Sequence, residues 1–126
     1  MTFTDVRIDV LILVCAVSAG IHGALVPEHF EEGAGAGVGF VVATVLLAAL
    51  AVALTRAPTQ LALAATAAVL GGLIASYALV ITTGFPVLHP EAEAVDGLAL
   101  FTKAAIEGLG LALAAVPFAQ AKGVYA

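Results

Sequence analysis

Four long apolar stretches, 8–26, 34–55, 60–81 and 95–118, leave this chain few folds to choose from. A helix needs ~20 mostly apolar residues to cross about 30 Å of hydrocarbon, and each stretch is of that order. Short segments carrying charge, Pro or Gly separate them: 27–33, 56–59 and 82–94. The chain is 63% hydrophobic and only 10% charged, whereas soluble domains average about 45–50% apolar and about 25% charged. Lipid is the solvent that suits it. With no water to bond exposed peptide groups, the helix is the local structure that satisfies its own backbone. The expected fold is therefore all-α, an integral membrane four-helix bundle of one domain spanning residues 1–126, multi-pass in the plasma membrane.

Basic residues in short loops favour the cytoplasm. Arg7 precedes the first stretch, Arg56 lies between the second and third, and Lys122 follows the fourth. The other two connections hold Glu28, Glu31, Glu32, Glu91 and Glu93 without a base. An up-down-up-down bundle with both termini cytoplasmic and the acidic loops outside accounts for this asymmetry. A cleaved secretory signal is the competing reading of the first stretch, since small residues follow an apolar run at 16–20. Asp5 and Asp9 in the would-be basic region, and three further apolar stretches, favour a retained helix. Cys15 is the single cysteine, so it offers no intrachain disulfide. Val14 before it is bulkier than lipoprotein processing accepts.

The net charge of −5, nine acids against four bases, excludes nucleic acid as a partner, because phosphate binding needs clustered Lys and Arg. The lipid bilayer is the expected environment, with further copies of the chain or subunits of a larger membrane complex as protein partners. The two middle stretches read as scaffold. Small residues four apart, as in Gly71/Ala75, Gly72/Ser76, Ala104/Gly108/Ala112 and Ala16/Gly20/Ala24, are expected to let helix backbones approach closely.

The polar residues inside this apolar frame need a reason to be there. His22 lies about one turn inside the outer end of the first stretch. Val26 precedes Pro27, so the helix is expected to break or kink there. Pro27 to Glu32 then reads as a short new helix that brings His29 near Glu32, with Phe30 at the membrane surface. The second outer connection adds His89, Glu91 and Glu93 after the turn signal Thr83-Gly84-Phe85-Pro86. Imidazole suits zinc, copper, iron and nickel, and carboxylates can complete such sites. His22, Glu28, His29, His89, Asp96 and Glu107 are accordingly candidate ligands for a transition metal ion such as zinc, copper or iron. Their spacing does not form a tight signature like H-E-x-x-H.

On the fourth stretch Asp96, Lys103 and Glu107 fall within about 40° of one another at helical periodicity. They make one polar stripe that runs inward and puts Glu107 near the bilayer midplane. A carboxylate there costs at least ~2.5–3.5 kcal/mol, so it must be protonated, paired or hydrated. Lys103 is the nearest partner, and His22 is expected to join the pair in a cluster open to the outside.

The run His22-Gly23-Ala24-Leu25-Val26-Pro27-Glu28-His29-Phe30-Glu31-Glu32-Gly33, followed by Gly39-Phe40, resembles a group of small four-span membrane proteins of actinobacteria. The similarity extends to Thr83-Gly84-Phe85-Pro86, Pro90-Glu91, Asp96 and Glu107. It implies His22, Glu28, His29, Asp96 and Glu107 as shared positions and brings no established activity with it. Where that group often carries an Arg before the Gly-x-Pro turn, this chain has Ile81, and a polar residue late in the second stretch is missing as well.

Three functions follow from these residues: a metal-binding or metal-handling membrane protein, a structural or accessory subunit of a membrane complex, or a proton or ion path along the fourth helix. An enzyme is the least supported class, because no Ser or Cys nucleophile stands beside a base and no phosphate loop is present.

Overall fold

Every secondary-structure element of the computed structural model, which describes residues 3–82 and 97–115, is a helix. The first three are α1 (Phe3–Glu32), α2 (Ala34–Arg56) and α3 (Gln60–Thr82). The fourth begins as α4 (Gly97–Phe101), widens into a π-helical segment (Thr102–Glu107) and continues as α-helix over 108–115. Asp5–Glu32, Ala34–Arg56 and Gln60–Thr82 are long and apolar enough to cross a membrane, which makes this a membrane protein. Several of their hydroxyls are satisfied within their own helix. Thr44, Thr55, Thr66, Ser76 and Thr82 each donate to the carbonyl four residues earlier at 2.6 to 2.8 Å, the usual way a helix hides a hydroxyl.

The expected break at Pro27 does not occur, and α1 runs through it to Glu32. Proline removes one helical hydrogen bond and crowds the carbonyl four residues back, here that of Gly23. Membrane helices tolerate this when neighbours hold the chain beyond it. They do so here: the His29 ring stacks on Phe40 of α2 at 3.5 Å, and Phe30 fills the space that Gly37 leaves by having no Cβ. The connection expected over 27–33 shrinks to Gly33. Its extended backbone ends one helix, and its carbonyl accepts from Gly37 N–H at 3.1 Å to start the next. Between α2 and α3 the link is 57–59, where Thr59 Oγ1 accepts from Ala62 N–H at 3.1 Å, an N-cap.

α1 packs chiefly on α2, and the fourth helix lies against α1 and α3. Leu11, Cys15, Leu50, Leu54, Leu63 and Ala114 form one buried cluster, and Val14, Ala19, Leu47 and Leu70 a second. In lipid the drive for this packing is dispersion contact rather than escape from water. The stripe expected at Ala16, Gly20 and Ala24 faces outward instead, as do Ala104 and Ala112. A Cβ on Gly20 or Gly72 would meet nothing within 4 Å. Besides Gly37, a close approach is made at Gly110, where a Cβ would come within 2.7 Å of Val14 and 2.8 Å of Leu70. Four-residue spacing of small residues reports which ones share a face, and that face need not be the packed one.

Candidate functional site

On α1 the buried positions Leu11, Cys15, Ser18, His22 and His29 recur every three to four residues or a multiple of that, which sets them along one side of the helix. Ser18 and His22 are the polar members of its middle. The fourth helix brings Lys103 and Glu107 to them. Both belong to the π-helical segment, in which Gly108 N–H reaches back to the Lys103 carbonyl. Such wide turns are rare and occur often at functional sites.

The four side chains form one network. Ser18 Oγ donates to Glu107 Oε1 at 2.7 Å, linking the two helices. Lys103 Nζ lies 3.0 Å from Glu107 Oε2 and 3.3 Å from Oε1. It also lies 3.1 Å from His22 Nε2. His22 Nδ1 is 2.8 Å from the Ser18 carbonyl oxygen. A carbonyl can only accept, so Nδ1 carries the proton and Nε2 presents its lone pair to the ammonium. Glu107 and Ser18 are 0% exposed and His22 3%. Charges buried so deeply give little net stability as a pair, yet removing one partner costs about 3–5 kcal/mol because the other is stranded.

His29 is prepared in the same way, with Nδ1 donating to the Leu25 carbonyl at 2.9 Å, and its Nε2 stands 3.9 Å from Glu32 Oε2. The expected approach of His29 to Glu32 is therefore present, inside α1 rather than in a separate short helix. His29 does not join His22. One phenyl ring, Phe40, stands against both imidazoles, stacked on His29 and tilted 40° to His22 at 5.1 Å. Glu28 points away, exposed. His89 and Asp96 lie outside the described residues, as do Glu91 and Glu93. Of the expected ligand set, the structure brings together His22 and Glu107, with Lys103 between them. Among the described residues no group of three His, Cys, Asp or Glu side chains could hold a metal ion.

Ser18 was not legible as a site residue from its type alone, although it lies one turn before His22 on the same helix face. Phe40 was legible only as part of the Gly39-Phe40 motif and not as a site residue, because its role depends on how α2 meets α1. Compared with protein-family models, curated proteins and solved structures, the chain matches none. Its function is therefore read from its own residues.

Proposed function

We propose that this chain is a multi-pass four-helix bundle of the plasma membrane, up-down-up-down with both termini cytoplasmic, and that it binds and handles a metal cation at the cluster of Ser18, His22, Lys103 and Glu107. The single observation carrying this reading is the convergence of an imidazole lone pair and a carboxylate on one buried cationic position. Imidazole with carboxylate is a donor set for zinc, copper or iron. Each donor is also oriented by an outer hydrogen bond, His22 by the Ser18 carbonyl and Glu107 by the Ser18 hydroxyl, a feature of metal ligands. His89 and Asp96 stand as further ligands of the same centre, and His29 with Glu28 and Glu32 as outer polar residues on the approach to it. The likeness to small actinobacterial membrane proteins is part of the same proposal, as is assembly with copies of itself or with a larger complex through exposed faces such as Val38, Val42 and Val45.

The test is titration of the purified wild type in detergent with zinc, copper(II) and iron(II) salts. The expected result is one saturable site per chain that His22→Ala abolishes. A wild type without saturable binding removes metal handling. A second reading, a proton path, has its own observation: Ser18, Glu107, Lys103 and His22 form an unbroken hydrogen-bonded chain. Proton flux into liposomes that disappears with Glu107→Gln, in protein without metal affinity, would put that reading first.

A further inference from the structure

The ammonium of Lys103 already occupies the place of a bound cation. Nζ stands 3.1 Å from His22 Nε2, and 3.3 Å and 3.0 Å from the two Glu107 oxygens. The two ligand atoms facing it, His22 Nε2 and Glu107 Oε1, are 3.9 Å apart. Donors held ~2.0–2.2 Å from a tetrahedral zinc ion stand about 3.4 Å from each other. Closing that gap takes about half an ångström of movement. Both donors are held from behind by Ser18, so neither has to be reoriented.

Lys103 is the most exposed of the three charged or ligating side chains. Its side chain is 13% exposed, against 0% for Glu107 and 4% for His22. It also sits in the π-helical segment, whose i→i+5 bonding adds one residue to the turn.

We propose that His22 and Glu107 form a site for a divalent transition-metal ion of the zinc class, and that Lys103 is a tethered cation which such an ion displaces. This rests on the cation-handling reading above and adds the occupant and its built-in competitor. Removing the competitor should tighten binding. Cobalt(II) is the probe, with zinc as competitor, in protein carrying His29→Ala so that this second imidazole does not bind. Lys103→Met should bind cobalt(II) at least tenfold more tightly than the Lys103 parent, with absorption bands of a low-coordinate ion that zinc removes. His22→Ala added to Lys103→Met should abolish the gain, and so should Glu107→Gln, whose charge-free pair serves as the folded control.

Lys103→Met strands a carboxylate, so helicity and elution in detergent are followed with and without zinc. Folding restored by zinc supports the displacement, and a chain unfolded even at saturating zinc counts against it. Equal affinity with and without Lys103, or a gain that survives His22→Ala, overturns the proposal. The two readings fail separately. A parent that binds through His22 with no tightening in Lys103→Met defeats only the displacement, whereas binding confined to Lys103→Met defeats metal handling by the native chain.

Discussion

At the scale of single residues, Glu107 has the most at stake. It is wholly buried and holds both Lys103 and Ser18. Glu107→Gln is expected to lower thermal stability in detergent by the equivalent of about 3–5 kcal/mol, because it strands a buried ammonium. Lys103→Met combined with Glu107→Gln should restore most of the loss, since a neutral pair of similar volume can pack as well as the charged one. The four proteins form a double-mutant cycle, and purely additive losses would show that the pair is not energetically coupled. Glycines give a second residue-scale prediction. Gly110→Val should destabilise, because the added atoms press into Val14 and Leu70. Gly20→Ala meets nothing and should be neutral or stabilising by up to about 1 kcal/mol, the helix-propensity gain. Melting curves that rank these two the other way would refute the packing described at Gly110.

At the scale of elements, the sequence supports four helices and their approximate limits, because apolar length and punctuation are local properties. It misplaces the end of α1 for a physical reason. Proline disfavours a helix interior by ~3 kcal/mol relative to alanine in water, and the residues beyond Pro27 offset that cost by packing on α2, which no local rule contains. Pro27→Ala should accordingly keep α1 intact and raise the melting temperature, as a helix already continuous regains a hydrogen bond. A loss of helicity or a fall in stability would mean that the proline shapes α1 in a way the packing needs. The π-helical segment of the fourth helix was equally invisible, since Thr102–Glu107 contains ordinary helix formers.

At the scale of the whole molecule, the outward faces of the helices are apolar, with Leu13, Val45 and Leu61 among the most exposed side chains. Such a surface is stable in lipid and aggregates in water. The proposed orientation can be read chemically in cells after Cys15→Ala. A membrane-impermeant thiol reagent should modify Glu32→Cys from outside and leave Ala57→Cys untouched until the membrane is opened. The reverse pattern would invert the topology and move the Glu32 end of α1, with its His29, to the cytoplasmic side.

The sequence by itself determined that the chain is helical and made for a membrane, because length, apolar content and the absence of water from the bilayer core leave little choice. It also marked Lys103 and Glu107 as partners, since residues four apart on one helix meet whatever surrounds them. Only the tertiary structure decided which face of each helix is buried, that Ser18 and not another residue ties Glu107 to α1, and that Phe40 stands against both His22 and His29. Contacts between helices depend on the rotation and depth of each one. In a chain whose faces are all apolar, hydrophobic pattern cannot specify that rotation, and the few buried polar groups must find their partners to fix it.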